Sequence, residues 1–373
     1  MTPSKHLERL LKAATDKPHR RSVRSKASRE RLDYVCKYLP NRACVRLLMA
    51  CMLAKIDRPE VDPRRPYTEI GGADCFSGRT YDERYLSGFI QSHRLPCNPT
   101  TAFLTPVLRN INRPLNKDSA LVGRPRELYE RTLQLLEEVA EGRESADAVL
   151  TDTLRILVAM RDERLQRLQS LQVGLRGDAT ALPLASEAIV ELLQQHLKCK
   201  NSSRLPVLIV AAAYESVSNQ LGEVRRPLHA HNAADEQTGA AGDVEVTLVN
   251  DDQVRTIYEM KQKVVTQDDI DRALQKVSAI ERRVDNYIFI TTDLIDRDVT
   301  AYARKLYEST GGTEFAVLDC LGFLRHFLHL FHRHRTAFLN AYQSLVLNEP
   351  DSAVSLPLKE VFLTLRQQAE AES

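Results

Sequence analysis

The chain's 373 residues are enough for two or three domains, 43% of them hydrophobic, with a net charge of only +2. The N-terminus is charged and the longest apolar run, Leu205 to Ala213, falls far short of a bilayer, so neither a signal peptide nor a membrane span is expected. Seven cysteines without C-x-x-C spacing count against a disulfide framework or zinc knuckle and fit a reducing cytoplasm.

Taken in order, residues 1–31 hold ten Lys or Arg against three acids, +7, which leaves −5 for the rest of the chain. This predicts a basic arm over 1–30, either touching phosphates or serving as a solvated tail. Helices are expected over Arg29–Leu39 and Arg42–Ile56, parted by Pro40, with Cys44, Leu47, Leu48, Cys51 and Met52 as a core stripe. From Asp57 to Thr80, Pro and Gly break the pattern among Arg58, Arg64, Arg65, Tyr67 and Arg79. Such a loop could enter a DNA groove or simply pack on the surface. A helix over Tyr81–His93 and a helical piece near Thr100–Arg109 lead to a second polar candidate at Arg109, Asn110 and Arg113.

Long helices are predicted over Arg126–Glu141 and Ser145–Gln172, suited to bundle packing or a dimer surface, then a linker over Gly174–Thr180 and a helix over Ala185–Cys199. Ser203 and Pro206 introduce an apolar helix, Val207–Leu221, that Gly222 stops. Glu215 in that helix is a possible additional metal-site acid or a surface ion-pair partner. A polar loop follows with His229, His231, Asn232 and Gln237, expected to line a site near Asp243.

Val244, Val246 and Leu248 alternate with Asp243, Glu245 and Thr247, and Ile257, Glu259 and Lys261 alternate with Tyr258 and Met260. This period of two predicts a hairpin turning at Asn250–Gln253. With a three-residue turn or a bulge, Asp243 faces Lys261 and lies diagonal to Glu259 on a polar face, while Val244, Val246, Leu248 and Met260 form the buried one. Two carboxylates on rigid strands can hold a hard cation, and an adjacent ammonium can orient water and offset charge on phosphorus. Glu245 and Lys263 are possible additions, Lys263 as a rival for the lysine. An acid followed by E-x-K also arises by chance on solvated strands.

Thr266 caps a helix through Asp269–Glu281, with a buried strand over Asn286–Thr292, a helix over Asp298–Ser309 and a strand over Phe315–Leu318. A last long helix begins near Asp319. Its His326, His329, His332 and His334 lack acidic or cysteine partners in sequence, so a basic face is expected there rather than zinc.

Residues 205–320, lined up as helix, Gly-Asp strand, Glu-Met-Lys strand, helix and strand, resemble the core of the PD-(D/E)XK nuclease superfamily. The resemblance implies an α/β fold with a mixed sheet flanked by helices, plus a mainly helical N-terminal domain. It also implies that Asp243 and Glu259 bind Mg2+ while Lys261 acts on the attacking water. Gly242 stands where the named pattern has proline. Ala54–Asp62 and Asn232–Gly239 look like type II restriction endonucleases of the SacI type, which implies a cytoplasmic homodimer cutting double-stranded DNA at a short palindrome. The expected division is a basic arm over 1–30, a DNA-recognition and dimerisation region over 31–200, a nuclease core over 201–320 and a helical extension over 321–373. A structure-selective or repair nuclease and a non-catalytic DNA-binding protein remain alternatives. No G-x-x-x-x-G-K-S/T loop supports a nucleotide cofactor.

Overall fold

Thr2 caps a helix with Pro3 in its first turn, and Leu7, Leu10, Leu11 and Ala14 follow at three-and-four spacing. The N-terminus is therefore a packed helix, α1 (Pro3–Asp16), with those four side chains in the core. This corrects the expectation of a loose basic arm, because the charges lie on the outer face and several are paired: Arg9 with Asp147, Arg21 with Asp33, Arg31 with Glu138. The computed structural model describes residues 1–98, 103, 113–116, 124–175, 182–228, 241–280 and 283–372. The expected helical piece near Thr100–Arg109, apart from Phe103, and most of the expected linker at Gly174–Thr180 lie outside them. The chain divides into two units at Gln166/Arg167.

Unit one is helical among the described residues. It contains α1, α2 (Lys26–Lys37), α3 (Ala43–Asp57), α4 (Gly78–Tyr81), α5 (Ser87–Ser92), α6 (Arg126–Ala140) and the start of α7 (Ala146–Gly174). Between α4 and α5 the chain makes one wider, π-helical turn, Asp82–Leu86. α3 is buried on all sides from Ala43 to Ala54, not along one stripe. The cost of enclosing Arg46 there is offset by Asp82, Ser87 and the Asn98 carbonyl, which together meet its guanidinium.

Unit two carries α8 (Ser186–Leu197), α9 (Leu205–Leu221), β1 (Glu223–Arg225), β2 (Val244–Leu248), β3 (Asp251–Lys261), α10 (Gln267–Ser278), β4 (Asn286–Thr291), α11 (Arg297–Ser309), β5 (Glu314–Asp319), α12 (Cys320–Leu330), α13 (Arg335–Asn348) and α14 (Leu356–Ala371). The sheet order is β1-β2-β3-β4-β5, antiparallel through β3 and parallel from β3 to β5. Gly222, at φ +67°, ends α9 in the left-handed region as its sequence position predicts. Thr266 and Asp269 form a capping box that starts α10. The expected long C-terminal helix is instead α12 and α13, separated by a short 3-10 turn at His332–His334.

Both faces of the sheet are covered. One, with Val244, Val246, Tyr258 and Ile290, packs on α8, α9, α12, α13 and α14. Within that layer the buried His196 ring lies between the Tyr342 hydroxyl and the Leu358 carbonyl, each 3.0 Å away. The carbonyl requires Nε2 to carry the proton, so Nδ1 accepts from Tyr342. Burial pushes the His196 pKa down to about 4. The other face, with Ile257, Tyr287, Phe289, Phe315 and Val317, packs on α10 and α11. The polar side of the β2–β3 hairpin is thus under helices, while Leu248, assigned to the buried side, is 41% exposed.

Candidate active site

The chain turns between β2 and β3 at Val249 and Asn250, and register shifts on both sides of Thr247 take up the odd residues. Val244 pairs with Tyr258 and Glu245 with Ile257. Just ahead of β2, the Asp243 amide donates to the Tyr258 carbonyl at 2.8 Å, and its Oδ2 accepts from the Met260 amide at 2.7 Å. Asp243 is therefore fastened to the residues on either side of Glu259. It lies against Tyr258 and Met260 and not opposite Lys261, although the hairpin has the bulges on which that expectation was conditioned. Gly242 makes the close approach possible, since a Cβ there would meet Ile257 and lie 2.8 Å from the Tyr258 carbonyl oxygen.

Glu259 is mostly buried, its side chain 14% exposed. Oε1 meets Lys261 Nζ at 2.5 Å, and Oε2 meets Lys276 Nζ at 3.2 Å and the Tyr287 hydroxyl. Burial pushes this carboxyl upward, but the hydrogen bonds from Lys261 and Tyr287 and the charges of both lysines hold it below its usual value. Tyr287 also lies 3.1 Å from the Ala241 carbonyl, and its ring stacks on Phe315. The hydroxyl has one proton, given to Glu259, and its oxygen lies beside the Ala241 carbonyl.

Lys261 reaches a second carboxylate, Asp269, at 3.6 Å. Asp269 is fully buried, caps α10 through Thr266 and also collects Arg272 at 2.6 Å and Lys263 at 3.8 Å. Burial raises its pKa, and the Thr266 hydrogen bonds, Arg272 and Lys261 more than reverse that, leaving it well below the ordinary carboxylate range. The sequence motif did not include Asp269, Lys276 or Tyr287. The first two were detectable as a face of α10, because Asp269, Arg272, Ala273 and Lys276 recur at helical spacing after the Thr266 cap.

Other candidates lie apart from this cluster, except Lys263, which reaches its edge through Asp269. Glu215, 45% exposed, pairs with Arg225 at 3.3 Å. Glu245 is buried and braces the strand entry, accepting from the Ala241 amide at 2.8 Å and meeting Arg226 at 3.2 Å. Lys263 is 66% exposed. In unit one, Arg58 pairs with Glu60, Arg64 with Asp62, Arg65 with Asp74 and Arg79 with Glu83. Tyr67 packs edge-on against Phe103, and Arg113 is exposed. Arg109, Asn110, His231, Asn232 and Gln237 lie outside the described residues.

Among the described residues no three or more His, Cys, Asp or Glu side chains gather as a metal-binding group. The carboxylate oxygens of Asp243 and Glu259 are hard donors, of the kind that could hold magnesium rather than a soft metal. Among the same residues no helix is long and apolar enough to cross a membrane.

Residues 182–292 match the family model described as SacI restriction endonuclease C-terminal domain. The matched segment contains Asp243, Glu259, Lys261 and Lys276 and makes this region similar to a restriction endonuclease. No curated protein matches the chain.

Proposed function

We propose that the protein is a type II restriction endonuclease with a PD-(D/E)XK centre, hydrolysing both strands of double-stranded DNA at a short specific sequence. The observation that carries this reading is the fastening of Asp243 beside Glu259, with Lys261 on the same carboxylate, inside the segment that matches the family model. Asp243 and Glu259 would hold Mg2+, which when bound polarises a phosphate oxygen and lowers the pKa of water. Lys261 is the third member. An ammonium has three donors; Glu259 takes one at 2.5 Å and Asp269 attracts the head group from 3.6 Å without a hydrogen bond, so the side chain arrives aimed with donors to offer water or a phosphate oxygen. Asp269 holds Lys261 in place, and Glu245 holds the chain entering β2.

Base reading is assigned to Arg58, Arg64 and Arg65 of the loop after α3 and to Arg79 of α4. The homodimer follows from the reaction, because each centre cuts one strand and a palindrome needs two. Digestion of long plasmid and phage DNA with Mg2+, followed by end sequencing, tests the proposal. Discrete fragments sharing one end sequence are expected, with none from Asp243→Ala. Cutting confined to branched or damaged DNA would replace this reading with a repair nuclease, and binding without cutting would replace it with a DNA-binding protein.

A further inference from the structure

Glu259 is met by cations from two different elements. Lys261, two residues along β3, takes Oε1 at 2.5 Å, whereas Lys276, from the last turn of α10, takes Oε2 at 3.2 Å. The proposed chemistry uses the first and gives the second no task. Lys276 is 30% exposed, so its head group has solvent to move into, and its flexible four-carbon stem permits the motion.

A divalent ion held by a carboxylate oxygen sits about 2.0–2.1 Å from it if magnesium, close enough to repel an ammonium on the same oxygen. An ion taken by Glu259 would therefore be opposed by the Lys276 ammonium beside Oε2. We propose that Lys276 is a positioning residue that holds Glu259 by this competing charge and sets how tightly the centre takes a divalent cation. The inference rests on the reading of Asp243 and Glu259 as the ligands. Tyr287 supplies the neutral part of the same restraint, since its hydroxyl donates to Oε2 without opposing the ion by charge.

The test is calorimetric titration of the full chain with Mn2+ alone, without DNA, for wild type, Lys276→Met and Lys276→Arg, each with and without Asp243→Asn. Removing one opposing charge should tighten Mn2+ binding by about tenfold in Lys276→Met. Lys276→Arg, which keeps the charge, should bind no tighter than wild type, and Asp243→Asn should abolish binding in every background. Unchanged affinity in Lys276→Met, with binding still dependent on Asp243, overturns the competition and leaves the ligand assignment standing. Mn2+ binding that survives Asp243→Asn at wild-type strength overturns the assignment and the proposal together. Circular dichroism checks folding, and if Lys276→Met fails that check, Lys276→Gln carries the same expectation.

Discussion

Between Asp57 and Glu83 four arginines meet four carboxylates one to one, whereas at the end of β3 four cations, Lys261, Lys263, Arg272 and Lys276, share Glu259 and Asp269. The two arrangements do different physical work. A one-to-one pair is nearly neutral to a distant phosphate, so it adds little general attraction while still offering directed donors to a base edge. Cations in excess of their acids keep a field that a polyanion can feel. Under the proposed function the first arrangement would read bases and the second would attract the polyanion whatever its sequence.

The sharpest way to break the comparison is Glu259→Gln. Cleavage should fall by about a thousandfold or more while circular dichroism stays unchanged; a loss of less than tenfold, read in single-turnover kinetics, would place Glu259 among the structural charges. Asp82→Ala probes the opposite extreme. It leaves the buried Arg46 guanidinium without its carboxylate and should lower unfolding stability by roughly 3–5 kcal/mol in denaturant titration, whereas removing the exposed partner of Glu83 in Arg79→Ala should change it by less than about 1 kcal/mol.

His196 adds a third arrangement, a buried polar group kept neutral. Its folded pKa of about 4 lies below the ordinary 6.5, so the unfolded chain binds the proton first. That stability is complete above pH 6.5 and drains as pH falls toward 4, by roughly 3 kcal/mol in all. Glu259 and Asp269, with lowered pKa values, lose their contribution in a more acidic window, below the ordinary carboxylate values. Stability measured against pH should therefore show two separate declines, and His196→Gln should remove only the upper one.

The smallest effects divide the two regions most directly. Arg65→Ala should cost about 1–3 kcal/mol of discrimination at one base position with little change in salt dependence. Lys263→Ala should weaken binding to all DNA alike and reduce the salt slope by about one. Equal behaviour of the two variants would remove the distinction.

Much of unit two was legible because its signals are local: alternation in β2 and β3, Gly222 after an apolar helix, Thr266 before α10. The N-terminal leucine stripe was equally local, but it was outweighed by the ten basic residues written around it. What sequence could not supply was tertiary. Lys276 and Tyr287 come to Glu259 only because β4 lies parallel beside β3 and α10 crosses between them. Where the bulges at Thr247 leave Asp243 was not legible either, since a bulge depends on how a strand twists against its neighbours and not on alternation.

The junction of antiparallel and parallel pairing at β3 also sets two different chain-closure costs. β2 and β3 close across Val249 and Asn250, a short-range event, so Asp243 and Glu259 can meet early. β4 is joined to β3 through residues 262–285, and closing that longer span loses more chain entropy before any contact repays it. The carboxylate pair therefore has the shorter span of chain to close, and the tyrosine of β4 the longer one.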